Sequence, residues 1–260
     1  MGLYASYLRI HLRGQLERRS AFAILVLGQA FVPLLVLAGA VLMFDRFGTL
    51  GGWTRPEALL CYGVAHMAFA AATCLARGFD TFSSIVANGE FDRILLRPRG
   101  TIVQVLGQRF DLSRSGRLLQ GAAVLAWAVS ELDLAWDFPR AFTLAAMIAS
   151  GTAIFCGIYV LGAALCFKTV QGLEVVNILT DGGREASQYP LAIFPEGIVK
   201  FFTYVVPFAC FNYIPLLWIL GKPGGNMLVG MLAPWLGALF LLPCAAVWRR
   251  AVRSYVSTGS

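Results

Sequence analysis

Charge is scarce in this sequence. Asp, Glu, Lys and Arg make up 13% of its 260 residues, about half the share of an average soluble domain. The apolar residues, 58% of the chain, gather in long blocks, and the mean hydropathy is +0.71. This excludes an ordinary water-soluble domain and implies a polytopic membrane protein. A phosphate loop is also missing. The Gly221–Lys222 pair is followed by Pro223 and not by Ser or Thr, so the chain is not expected to hydrolyse ATP by itself. No H-E-x-x-H, G-x-S-x-G or carboxylate cluster suggests an enzyme. None of the six cysteines forms a C-x-x-C pair, and all six lie in apolar blocks. They read as small core residues and not as metal ligands or disulfide partners.

Two more absences bear on function. No secretory signal is visible, because the first apolar block, residues 21–44, is long enough to span a bilayer and lacks a cleavage-like end. Within the apolar blocks no Asp, Glu, Lys or Arg occurs except near the ends, and His66 is the one ionisable group in mid-block. Ion-coupled transporters need intramembrane ionisable residues. The chain is therefore expected to lack an energy source of that kind, with His66 a hydrogen-bonded packing residue.

Six spans are expected, at residues 21–44, 58–76, 118–132, 142–167, 201–220 and 227–248. The third is short, with Arg114 and Arg117 snorkelling at its start. Before the first span, Tyr4, Leu8, Leu12 and Leu16 recur every four residues beside Arg9, Arg13 and Glu17. Residues 1–20 thus predict an amphipathic helix lying at the membrane surface. Seventeen of the 21 Lys and Arg fall in residues 1–20, 77–117, 168–200 and 249–260. By the positive-inside rule these segments, and both termini, are cytoplasmic. The net charge of +7 reflects such loops and not nucleic-acid binding.

Prolines 33, 207, 215, 234 and 243 predict kinks. Asn212, near one helical face with Tyr204 and Phe208, must meet another helix or a cavity. Small-residue stripes at Ala68, Ala72 and Ala76, and at Ala149, Ala153 and Gly157, permit close helix approach, within the chain or between subunits. In the loop 168–200 a short helix or re-entrant piece is expected to end at Gly182–Gly183.

The loop at 77–117 holds the densest charge. Asn88–Gly89 breaks a first helical pattern. Phe91, Ile94 and Leu95 resume it at i, i+3, i+4 spacing, and Pro98 stops it. Such a two-turn amphipathic helix is too small to fold alone. Two readings stand: a surface helix whose arginines touch anionic lipid, or a docking element for a cytoplasmic protein, to which Glu90 and Asp92 are better suited than to lipid.

Three segments carry a resemblance: G-E-F-D-R-I-L-L-R-P at 89–98, S-Q-Y-P at 187–190 and P-F-A-C-F-N-Y-I-P at 207–215. Over nearly the whole chain it resembles the permease subunits of ABC-2 type exporters, in the bacterial family of small permeases that includes viologen exporter permeases. The resemblance implies an all-α polytopic membrane fold with six transmembrane helices, an N-terminal amphipathic interfacial helix and a cytoplasmic coupling helix. It implies that Glu90, Phe91, Asp92, Arg93, Leu95, Leu96 and Arg97 dock on a separate ABC ATPase dimer, which binds the ATP and Mg. It also implies a second permease subunit, a related paralogue or an identical copy, and a site in the bacterial inner membrane.

Neither a fused ATPase nor a long extracellular domain is present, and the short loop 221–226 leaves little room for re-entrant elements before the sixth span. One transmembrane permease domain is expected: an interfacial helix at 1–20, spans one and two at 21–76, the coupling loop at 77–117, spans three to six at 118–248, and a tail at 249–260. Tyr204, Phe208, Phe211, Asn212 and Tyr213 are candidates for the substrate path. Aromatic faces attract cations, so an amphipathic or cationic compound is the expected cargo. The rival expectations are a passive channel or secondary transporter working without ATP, and a membrane assembly protein that transports nothing.

Overall fold

The computed structural model describes residues 7, 9, 10, 13–15, 17, 19–169 and 172–255, with backbone alone at 172–177. The interfacial helix expected over 1–20 lies largely outside these residues, and those described within its first two-thirds are helical. The rest is nearly all α-helix. One antiparallel hairpin, β1 (Thr49–Leu50) and β2 (Trp53–Thr54), interrupts it. Its turn needs Gly51 and Gly52, at φ +56° and +79°, where side chains with a Cβ are strained.

Helix α1 (Arg19–Phe47) leads into the hairpin, and α2 (Arg55–Leu75) leaves it. Pro56 and Glu57 suit the first turn of α2. The ring fixes φ, and the carboxylate accepts the Thr54 backbone N–H at 2.7 Å. Short helices α3 (Arg77–Asp80), α4 (Phe82–Ala87), α5 (Glu90–Leu95) and α6 (Thr101–Gln108) fill the charged loop. Then α7 (Ser115–Glu131) and α8 (Phe138–Cys166) follow, the latter capped by the Asp137 carboxylate on the Arg140 N–H.

Helix α2 is the hub. Of its apolar window 83% is buried, against 11% for α1. In a bilayer no hydrophobic force drives helices together, so contact must come from close packing. The sequence supplies it. A Cβ on Gly63 would lie 3.1 Å from Leu125 of α7, and one on Gly151 of α8 would lie 2.7 Å from the Ala68 Cβ. The Ala68 stripe thus serves an approach inside the chain.

Among the described residues four helices have the length and apolarity to span a membrane: α1, α2, α8 and Met227–Arg253, the last built from α12 (Met227–Ala238) and α13 (Leu241–Arg253). A bent pair raises the number to five. The expected third span exists as α7, but its 17 residues cover only about 26 Å.

The expected fifth span, 201–220, is not one helix. Its limbs, Glu196–Val205 and Ala209–Ile219, meet at 89°. Pro207 lacks an N–H and pushes the preceding residue out of the helical region, and Val206 is extended at φ −118°, ψ 106°. The Phe208 N–H closes the corner on the Val206 carbonyl at 2.6 Å. A bent pair with the form of a broken span or a re-entrant loop therefore precedes the last span.

The segment expected as a loop at 168–200 also differs. Helix α9 (Gly172–Ser187) runs through Gly182–Gly183 without a break and packs along α8. Gly183 is used for packing, since a Cβ there would enter the Phe208 ring. The Ser187 carbonyl reaches Cys61 of α2, and Ile193 beyond it lies against Gly51 of the hairpin. So α9 starts at the charged-loop end of α8 and finishes at the hairpin end.

Replacing Gly151 by Val overpacks the α2–α8 contact. We expect a loss of about 1–3 kcal/mol, read as a lower thermal unfolding midpoint in detergent. Gly39 of α1 has nothing within 4 Å of a built Cβ, and Gly39→Ala should leave the midpoint unchanged or raise it.

Candidate functional site

Two places hold unusual chemistry. The first is the charged loop. Gly89 takes φ +66° and starts α5. Phe91 and Ile94, 0% and 1% exposed, then point into the protein. The Phe91 ring stands 5.2 Å from Phe82, 5.0 Å from Phe167 at the end of α8, and 5.1 Å from Tyr255 after α13. Trp248 of α13 packs edge-on to Phe79 and Phe82, and its indole N–H donates to Thr101 Oγ1 at 3.0 Å. Each aromatic pair adds about 0.5–1.5 kcal/mol beyond its buried area.

Other contacts stiffen the base of this loop. Gly78 lies so close to the Val105 carbonyl that no Cβ fits between them. Asp80 pairs with Arg77 and, at 3.9 Å, with Arg114, which also reaches Asp111 at 3.4 Å.

The residues expected to dock therefore divide. Phe91 is an anchor facing inward, and Glu90 and Asp92 are half-buried. Arg93, Leu95, Leu96 and Arg97 face outward, with Leu96 85% exposed. Arg97 accepts no burial but bonds Tyr7 Oη at 3.2 Å through its guanidinium. Leu96 thus stands exposed between arginines on a tip held by buried Phe91 and Ile94.

The second place is the middle and hairpin end of the bundle. Buried Asn212 donates to the Ser187 carbonyl at 2.6 Å and sits 3.0 Å from Cys61 Sγ. It is the bolt joining the bent pair, α9 and α2, the helix-contact alternative of the two expected for it. Phe208 and Phe211, 1% and 0% exposed, pack on Phe155. Tyr204 is 82% exposed, and half-buried Tyr213 lies 6.1 Å from Trp53. Of the five, Phe208, Phe211 and Asn212 are buried, and the rings of Phe208 and Phe211 meet edge to face at 5.7 Å.

Helix α9 carries what the sequence reading missed: Asp181, Arg184 and Glu185 in a helix packed against α8 and α2. Arg184 Nη2 bonds Glu185 Oε1 at 2.5 Å, Nε lies 4.0 Å from Asp181, and the guanidinium covers the Phe69 ring at 5.2 Å. Nearby, His66 stacks on Tyr62 with ring centres 5.1 Å apart. Tyr62 donates to the Pro33 carbonyl at 3.1 Å and accepts from Gln120 at 3.4 Å. Both His66 nitrogens are buried with no protein partner, so the histidine packs by stacking and not by the expected hydrogen bond.

Two ionic clamps close the hairpin end. Arg55 bonds Asp45 at 2.9 Å and both Glu131 oxygens at 3.2 Å, tying the ends of α1 and α7 to the start of α2. Lys222, just past the bent pair, bonds Glu57 and the Gly52 carbonyl, each at 2.8 Å, and lies 5.1 Å from the Trp53 ring centre.

Compared with known proteins, residues 30–259 match the family model described as ABC-2 family transporter protein. No curated protein matches the chain, and no solved structure does.

Lys222→Met removes the cation from a clamp whose side chains are only 20% and 13% exposed. We expect a loss of about 1.5–3 kcal/mol, the value of charge-assisted hydrogen bonds, measured by thermal unfolding. Lys222→Arg should recover most of it.

Proposed function

This chain belongs to the ABC-2 transporter family and is a multi-pass membrane permease; from that premise we propose that it is the transmembrane subunit of an exporter driven by a separate ABC ATPase. The ATPase binds ATP and Mg, and this chain contributes the membrane path. A second permease chain, a related paralogue or a second copy, completes the pore, and the cargo is a small amphipathic or cationic compound. The setting is the bacterial inner membrane with both termini cytoplasmic.

The observation that carries this reading is the exposed tip formed by Arg93, Leu95, Leu96 and Arg97 on its aromatic mount. The sequence has no phosphate loop, and the tip offers a handle for an external motor. Because Phe167, Trp248 and Tyr255 hold Phe91, a push on the tip moves α8 and α13 with it. The mixed apolar and basic surface suits a protein groove. Lipid contact at the same tip is the competing use.

In this reading six segments cross the membrane: α1, α2, α7, α8, α9 and Met227–Arg253. The bent pair dips in from the hairpin side. Making α9 a span and moving residues 188–226 to that side takes Arg184 and Lys200 out of the basic cytoplasmic set, which keeps 15 of the 21 Lys and Arg, so the charge bias survives.

A second reading, an ion-coupled transporter, gains from Asp181, Arg184 and Glu185 of α9, the intramembrane charges such proteins need. Reconstituted protein should then move cargo under a pH gradient without ATP. The exporter reading expects no flux until the ATPase and ATP are added.

For docking, we expect Leu96→Asp and Arg93→Glu to lose the co-purifying ATPase while melting as wild type. Retention of the ATPase by both variants would sink the assignment of the tip.

A further inference from the structure

Near the hairpin end, α1 and α9 stand apart over the face of α2. Between them lies a cavity of about 430 Å³, within the usual range for small-molecule sites. Its walls are apolar: Met43 from α1, Leu50 from the hairpin, Ile193 and Phe194 beyond α9. Tyr189 presents a ring, and one charged side chain, Glu185, is part of the lining.

Three observations describe what would fit. The first is the charge. Asp181 and Glu185 share the single guanidinium of Arg184, and that group is turned over the Phe69 ring and is absent from the lining. Glu185 Oε1 holds that guanidinium at 2.5 Å, and Glu185 is the one charged residue in the lining. The second is an unused acceptor. Gln188 is 2% exposed, its Oε1 is buried with no partner among the described residues, and it lines a small void that shares Tyr189 with the large cavity and reaches Tyr62. A buried acceptor without a donor is costly until a ligand supplies one. The third is the wall itself, where an aromatic ring stands beside a carboxylate. Such a wall favours a cation with an apolar body.

An anion finds no cation in this lining, whose one charged residue is Glu185. A hydrocarbon leaves both Glu185 and Gln188 unused. We propose that this cavity is a binding site for an amphipathic amine, with its ammonium on Glu185, its N–H reach toward Gln188, and its apolar body between Met43, Leu50 and Phe194. That the occupant is also the transported cargo rests on the permease reading. The assignment moves cargo recognition away from Phe208 and Phe211, which are sealed in the core, to α1 and α9.

The test uses the purified full-length chain in detergent and three probes of one shape: naphthylmethylammonium, naphthylmethanol and naphthoate. Binding is followed by naphthalene fluorescence anisotropy against protein-free micelles. We expect the ammonium to bind about tenfold tighter than the alcohol, the weak end for one charge-assisted hydrogen bond, and naphthoate to bind least. Glu185→Gln should erase the ammonium preference while leaving alcohol binding within about twofold. Leu50→Trp, which fills the cavity without touching the charges, should weaken all three probes. Equal affinity for the ammonium and naphthoate, or an intact ammonium preference in Glu185→Gln, overturns the site. Unchanged binding in Leu50→Trp overturns its location. Because these measurements need neither ATP nor a partner, they stand apart from transport. A confirmed site with no ATP-driven flux in the reconstituted complex would fault the permease reading alone.

Discussion

The packing of Phe82 against Phe91, Phe167 and Trp248 is the contact on which the charged end of the molecule depends. These rings meet edge to face at 5.1–5.2 Å, and they come from four separate segments. Alone, α5 is six residues long, far below the length at which a helix holds itself in water. Its shape is borrowed from the cluster. The same rings make its outer face directional. With Phe91 and Ile94 committed inward, Arg93, Leu96 and Arg97 have only one way to face.

The membrane part obeys a different rule. Apolar helices in lipid gain little from merely touching, so the bundle is organised by where backbones come closest. Small residues on α2 let α7 and α8 approach, and the polar bolts are then placed at few positions. Asn212 ties three elements through one amide. Tyr62 and Gln120 join α1, α2 and α7. At the hairpin end, where water returns, ion pairs take over from amides. Arg55 and Lys222 each gather elements that the helix packing alone leaves adjacent but unfixed.

Much of this was legible in the sequence, and the misreadings have physical causes. Long apolar blocks gave α1, α2, α8 and the last span to within a few residues, and Gly89 and Pro98 bounded α5. Helix α9 was read as a loop with a short helix ending at Gly182–Gly183, because Asp181, Arg184 and Glu185 lower its hydropathy. Their i, i+3, i+4 spacing was the available signal, since charges so placed on one helix satisfy each other. Pro207 was read as a kink and proved a corner. Sequence locates the missing hydrogen bond, whereas the angle is set by what the two limbs pack on. Phe91 was grouped with Leu95 and Leu96 for docking. Periodicity separates an apolar face from a polar one, but it does not reveal which apolar residues the rest of the chain already uses. At 204–213 the same limit applies, with Phe208 and Phe211 buried on Phe155 and Tyr204 exposed. Aromatic richness marks a core as readily as a channel.

The lysine clamp bears on how the protein is made. Lys222 bonds the Gly52 carbonyl across 170 residues of chain. The start of α2 enters the membrane early in synthesis, yet its lysine is translated only after α9 and the bent pair. Glu57 therefore waits for its cation until five-sixths of the polypeptide has been made, and the hairpin end is sealed late. A chain stalled or truncated before residue 222 displays an unpaired carboxylate at an otherwise finished helix start.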